Sequence, residues 1–167
     1  MSIKVERNYL EINSVKDLKA SKFFPDDCYI DLSDPADFQI NKFFYKSIGK
    51  EHRWTDRLVW TDKQWIEYIS DQKVKTYILK KANDIAGYFE LIFHKEKKET
   101  EIAYLGLLEE YQNKKLGSFL LTSAIKNSFS ENTKRVWVHT CSLDHKHALN
   151  NYISRGMRIY KTESVLI

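Results

Sequence analysis

Leu105–Ile125 reads LGLLEEYQNKKLGSFLLTSAI. An apolar run stops at Glu109 and Glu110, amides and lysines follow from Gln112 to Lys115, and a second apolar run from Leu116 holds one glycine, Gly117. The first run extends back through TEIAYLGLL (100–108), which has the composition of a strand. The second repeats at helical spacing. Gly117, Leu120, Leu121, Ala124 and Ile125 share one face of a helix that begins after Gln112 and reaches about Phe129, with Phe119 opposite. The stretch is therefore strand, polar loop, helix. A helix N-terminus carries unpaired N–H groups and a partial positive charge, which suit an anion. Just past the C-terminal end of a sheet strand, it marks the usual ligand crevice of α/β folds. Neither G-x-x-x-x-G-K-[ST] nor G-x-G-x-x-G is present, so an ordinary polar connection stays open as the alternative.

Outward from this stretch, KTYILKK (75–81) and IAGYFELIFH (85–94) are strand-like. With 100–108 they form an antiparallel meander, joined by the polar turns AND and KEKKE. On the far side, KRVWVHTC (134–141) is a buried-looking strand, Asp144 can cap a helix over 145–154 that Gly156 ends, and MRIYKTESVLI closes as a strand. Nearer the N-terminus, residues 3–12 form a strand and SVKDLKA (14–20) a short helix with Ser14 as N-cap. Asp34, Pro35 and Asp37 mark the start of a helix that ends near Gly49. Thr61 and Gln64 make a capping box for a helix over 62–70, with Trp60 and Trp65 at the staple positions. The fold class is thus α/β with a mixed sheet: an antiparallel meander, then a strand–helix–strand unit from 100 to 140 whose strands run parallel through a right-handed crossover.

A length of 167 residues suits one domain, 1–167, and 43% hydrophobic with 30% charged residues is a globular composition. The basic residues, 27 against 23 acidic, are too balanced to indicate nucleic acid. No apolar run reaches bilayer length, and MSIKVERNYLEI lacks a signal-peptide core. Cys28 and Cys141 lie far apart without a CxxC, as free thiols would. These features predict a cytoplasmic protein with no membrane and no nucleic-acid partner; a homodimer is left open.

QNKKLGS (112–118) resembles the acetyl-CoA pyrophosphate loop of the GNAT superfamily of N-acetyltransferases, Q/R-x-x-G-x-G/A. Gln112 takes the first place and Gly117 the last, and Lys115 stands where the first glycine is usual. EIAYLGLL looks like the strand before that loop. ALNNYISRGM resembles the later A-x-x-x-Y-x-x-x-G-F/M signature through Ala148, Tyr152, Gly156 and Met157. The likeness covers residues 75–160, the acetyl-CoA core, and makes 1–70 the acceptor-side helices.

The resemblance implies transfer of acetyl from acetyl-CoA to a primary amine by direct attack, with a splayed parallel pair of strands receiving the pantetheine arm. The backbone of Asn113, Lys114, Lys115, Leu116, Gly117 and Ser118, with Gln112, would hold the pyrophosphate. Leu107 and Leu108 would offer backbone groups to pantetheine, and His145 stands where the family has a cofactor-contacting asparagine. If residue 115 keeps a negative φ, its N–H can donate as a glycine would, and Lys115→Gly would be tolerated. Gly117 would allow close helix–sheet packing. Tyr152, whose phenol keeps its proton at neutral pH, would protonate the leaving thiolate. Glu101 leads as general base, on a face shared with Ala103, Leu105 and Leu107. Glu90, a carboxylate among apolar residues, and His139 are rivals.

The aromatic segment from Phe43 to Tyr68 would wall an acceptor pocket, with Trp54, Asp56 and Arg57 free to meet substrate, Asp56 drawing an ammonium. That wall favours a small-molecule amine. A protein N-terminal or lysine acceptor, and a non-catalytic CoA-binding sensor, stand as alternatives. His139, Cys141, Asp144, His145 and His147 fit no standard zinc spacing, so no metal is expected.

Overall fold

The computed structural model describes residues 1–130 and 132–167. The chain runs β1 (Lys4–Ile12), β2 (Cys28–Leu32), α1 (Phe38–Gly49), α2 (Asp62–Ser70), β3 (Val74–Lys81), β4 (Asp84–His94), β5 (Glu99–Leu107), α3 (Leu116–Ser128), β6 (Arg135–Cys141), α4 (Ala148–Ser154) and β7 (Arg158–Leu166). The strands make one mixed sheet in the order β2-β3-β4-β5-β6-β1-β7. The meander β3-β4-β5 is antiparallel, and β5 pairs with β6 in parallel across α3. This is the α/β class with a mixed sheet that the sequence predicts.

Helix α2 forms where its signals lie. Thr61 Oγ1 accepts from Gln64 N–H, the Gln64 side chain returns to Thr61 N–H, and the Trp60 and Trp65 rings meet edge to face at 5.0 Å. Helix α1 begins later than expected. Its cap is Asp37, which accepts from Gln39 N–H, and not Asp34. The cause lies upstream. β2, which the sequence reading misses, keeps the chain extended through Ser33, whose N–H bonds Thr76 O, and the helix can start only after the chain leaves the sheet. SVKDLKA yields a single 3-10 turn at Val15–Asp17, with Ser14 capping it. The last helix is shorter than 145–154, because Asp144 does not cap it. Asp144 instead accepts from Thr140 Oγ1 and Cys141 N–H and ties down the end of β6.

The two faces of the sheet are covered differently. Helices α1 and α2 close one face of the meander over Phe44, Ile48, Ile78 and Tyr88. On the other face α3 buries Leu116, Leu120, Leu121, Ala124 and Ile125 against Leu10, Phe89, Ile102 and Val138. Strand β1 lies between β6 and β7, antiparallel to both. The N-terminal region is therefore not all acceptor-side helix; two of its segments are sheet strands.

A bulge in β5 changes which side chains face which side. Leu91 pairs with Ile102 and Glu90 with Tyr104, so Ala103 is the extra residue. A one-residue insertion reverses the alternation beyond it. Glu101 therefore shares its face with Tyr104 and Gly106, on the α1/α2 side, and not with Leu105 and Leu107, which pack toward α3. The β5–β6 ladder holds only from Glu99–Arg135 to Glu101–Trp137, and then the two strands part.

Candidate active site

Where β5 and β6 part, a cavity of about 1250 Å³ opens. Its walls are the β5 backbone from Glu101 to Leu107, the β6 residues Val138, His139 and Cys141, the first turn of α3, and Tyr152 on α4. Tertiary structure thus joins the two ends of the quoted stretch with a helix about thirty residues further on.

At one end stands α3. No side chain caps its first turn. The chain enters through two left-handed residues, Asn113 (φ 61°) and Lys115 (φ 65°). The expected negative φ at Lys115 is therefore wrong. The turn needs the left-handed region, where a Cβ is crowded and glycine is favoured. Gly117 lies on the inner face of α3, but close packing on the sheet is not what requires it. A Cβ there would meet only Asn151 Nδ2, at 3.7 Å. The space beside Gly117 belongs to the cavity, and Asn151 Nδ2 donates to its carbonyl at 3.1 Å. Gln112, Asn113, Lys115, Gly117 and Ser118 line the cavity, whereas Leu116 is core and Lys114 lies outside with its ammonium 5.8 Å from the Tyr111 ring. Ser21 reaches across to this end, its N–H on Thr122 Oγ1 at 2.9 Å and its hydroxyl 2.9 Å from that of Ser118.

Leu107 lines the cavity, but its carbonyl is engaged by Gln112 Nε2 at 3.3 Å. Leu108 does not line it. Its N–H bonds Ala86 O and its carbonyl accepts from Tyr111 N–H, so both backbone groups are spent inside the fold. His145 is on the wall, with Nδ1 accepting from His147 N–H. Burial and the neighbouring cations hold its pKa below the ordinary histidine value.

Tyr152 is 7% exposed and lines the cavity, and among the described residues its hydroxyl makes no hydrogen bond. Burial, with a smaller push from the Asp144 charge, holds its pKa well above that of free tyrosine. Glu101 is on the opposite wall, its Oε1 3.0 Å from His94 Nε2. His139 lies between several charges. Burial and Arg7 lower its pKa, while Glu101, Asp144 and Asp56 act weakly the other way. Its ring is accessible from the cavity, stands 5.6 Å from that of Tyr9, and is neutral at pH 7.

Glu90 does not line the cavity. It is wholly buried, and its oxygens accept from Arg57 Nη1 (3.0 and 3.2 Å), the Tyr68 hydroxyl (2.8 Å) and Asn41 Nδ2 (3.1 Å). The apolar surroundings of Glu90 have a partner built into them. Arg57, only 6% exposed, is that partner, and its guanidinium sits 4.2 Å from the Tyr68 ring centre and 4.4 Å from that of Tyr104. Its guanidinium is therefore committed to Glu90, although Arg57, like Trp54 and Asp56 beside it, does line the cavity. Trp54 packs edge to face on Tyr104 at 4.8 Å. Among the described residues no group of three or more His, Cys, Asp or Glu side chains could hold a metal ion.

Sequence reasoning missed Arg7, Asn151 and His94. Asn151 had a signal, its place beside Tyr152. Arg7 is brought to the cavity by sheet pairing, and His94, which does not line it, is tied to the site through its contact with Glu101.

Residues 38–157 match the family model described as the acetyltransferase (GNAT) family. No curated protein matches the chain. Among solved structures it resembles a GCN5-related N-acetyltransferase from Kribbella flavida, at 15% identity and TM-score 0.68 over 99% of this chain and 58% of that one. It also resembles one from Sphaerobacter thermophilus, at 12% identity and TM-score 0.73 over 97% and 50%. A third is the aminoglycoside acetyltransferase meta-AAC0020 from an uncultured soil metagenomic sample in complex with sisomicin, at 14% identity and TM-score 0.63 over 77% and 87%. The chain spans only about half to three-fifths of the first two, and at these identities the likeness is one of fold.

Proposed function

The chain belongs to the GNAT family of acetyltransferases, and on that footing we propose that it transfers acetyl from acetyl-CoA to the primary amine of a small molecule, by direct attack and without a covalent enzyme intermediate. One observation carries this reading: the parted strands β5 and β6 open onto the uncapped first turn of α3 at one end and onto the unpartnered Tyr152 hydroxyl within. An acyl thioester supplies an electrophilic carbonyl and a thiolate leaving group.

The fit rests on the donor set. The N–H groups at the start of α3 suit a pyrophosphate. The unpaired β5 edge suits the amides of a pantetheine arm, with Leu107 serving through its place on the wall and Leu108 as core support. His145 flanks the same arm. Tyr152 holds a proton that burial makes hard to lose as an anion, so it can hand that proton to a departing thiolate only as the thiolate forms. His139, neutral and accessible, removes the proton from the incoming ammonium, with Glu101 at hand to relay it. Asp56 and Glu101 draw the ammonium in. Glu90 and Arg57 hold the loop that carries Trp54 and Asp56.

The walled cavity, in which Trp54, Tyr104 and α1 close one side, supports a small-molecule acceptor. The aminoglycoside acetyltransferase fold neighbour is consistent with it. The test is calorimetry with acetyl-CoA followed by a free-thiol assay across a panel of amines. Thiol release matched by acetylated amine supports the reading. Binding without turnover on any amine favours a sensor, and no binding removes the cofactor assignment.

A further inference from the structure

Among the arginines of the sheet region, Arg57 is satisfied by Glu90, and Arg135 by Glu11 at 2.8 Å and Glu99 at 3.1 Å. Arg7 is not. It lies on β1, opposite Cys141 of β6 and Glu163 of β7, and it lines the cavity. Its Nε is buried and has no hydrogen-bond partner among the described residues. Its nearest carboxylate oxygen, Glu163 Oε1, is 4.0 Å from Nη1, beyond hydrogen-bond reach. Glu163 is already engaged by the Tyr9 hydroxyl at 2.6 Å and Lys161 at 3.4 Å. A guanidinium presents five donors in a rigid plane that matches a carboxylate or phosphate, and a buried donor left unmatched is costly.

The register fixes where that unused fork lies. Tyr9 faces His139 and Arg7 faces Cys141, so Arg7 is the diagonal neighbour of His139, roughly 7–8 Å away on the same face. Asp56 and Glu101 line the cavity too and act on His139 with the opposite sign to Arg7. The acceptor side thus has acids for an ammonium and a cation for an anion. The cations at the far end, Lys19, Lys115 and Arg155, lie with α3 and α4, where the cofactor phosphates belong.

We propose that Arg7 binds an anionic group of the acceptor, so that the substrate is a small amine that also carries a carboxylate or a phosphate. The inference rests on acetyl transfer in this cavity and names its substrate class. The two oxyanions share the recognition chemistry, and the assay separates them.

The experiment uses matched pairs, 4-aminobutanoate against butylamine and O-phosphoethanolamine against ethanolamine, with thiol release as readout. The wild-type protein should favour one acidic member by about 10- to 100-fold in kcat/KM, as a charged hydrogen-bonded pair is worth. Whichever pair shows the preference identifies the oxyanion. Arg7→Gln should collapse that ratio toward one, mainly through KM, and Arg7→Lys should restore part of it. Calorimetry of the acidic amines in the presence of CoA adds a readout independent of turnover. Binding that is lost in Arg7→Gln supports the assignment even if no amine is acetylated, in which case only the transfer reading fails. Equal preference within both pairs, binding unchanged by Arg7→Gln, or no binding of either acidic amine overturns it.

Discussion

Lys115→Gly removes a Cβ from a backbone held at φ 65° and ψ 8°. An L-residue in that left-handed region costs roughly 1–2 kcal/mol. The lysine is exposed, so no core contact goes with its side chain. Glycine gives the unfolded chain more freedom, which offsets about 0.4–1 kcal/mol of the gain. The balance is a stabilisation of about 1 kcal/mol, or roughly 2–4 °C in Tm at this chain length. Urea denaturation and a thermal melt of the unliganded protein measure it. Lys115→Ala is the control, since it removes the ammonium but keeps the Cβ, and it should gain nothing. If Lys115→Gly is no more stable than Lys115→Ala, the left-handed turn is not a strained one and the reasoning fails.

Tyr152→Phe should lower kcat by about 10²–10⁴-fold, the usual worth of a positioned acid, with acetyl-CoA affinity by calorimetry little changed; an unaltered rate would remove Tyr152 from the chemistry. The pH profile of kcat/KM should show an acid limb below 6.5, because burial and Arg7 depress the His139 pKa from that value. The limb should vanish in His139→Asn, whereas a limb retained there and lost in Glu101→Gln would move the base to the glutamate. The same depression acts on stability. Above pH 6.5 both folded and unfolded chains hold His139 neutral, and as pH falls from there to the lower folded value the unfolded chain takes up the proton first, so stability declines over that window. Arg57→Met should cost about 3–5 kcal/mol by denaturant titration, because it leaves the Glu90 carboxylate buried without its countercharge; a loss below about 1 kcal/mol would mean that Tyr68 and Asn41 alone suffice for Glu90.

The legible parts of this fold were the local ones. The capping box at Thr61 and Gln64 states its own geometry, and the strand–loop–helix of Leu105–Ile125 shows through a change of period. The order of motifs through Tyr152 is also legible, and the structure brings Tyr152 and the start of α3 to the gap between β5 and β6. What stayed hidden depends on partners distant in sequence. Nothing near Ala103 announces an inserted residue, so Glu101 was assigned to the wrong face. Arg57 looks like an open loop residue until Glu90, two elements away, is seen to claim it. The five residues of β2 alternate too weakly to be told from loop, and the strand is read only from its pairing with β3. The φ of Lys115 was misjudged because a lysine side chain argues for the ordinary region, while the turn around it imposes the other.

The place of β1 between β6 and β7 governs when the site can exist. The Tyr9–Glu163 bond joins residues 154 apart in sequence. Such a contact demands that a long loop be closed before it returns any energy. The earliest part of the chain to be synthesised must wait for the latest. Until β6 is laid down there is no edge for β1 to join, and until β1 is in place β7 lacks its strand neighbour. Arg7 rides on that strand. A partly folded chain, with its meander and α3 already formed, would have Tyr104 and the first turn of α3 but neither the gap beside β6 nor Arg7. The cavity is therefore completed only by the last strands to be laid down, and Arg7, on the strand next to the β7 edge, is among the first of its lining residues to be uncovered when that edge opens.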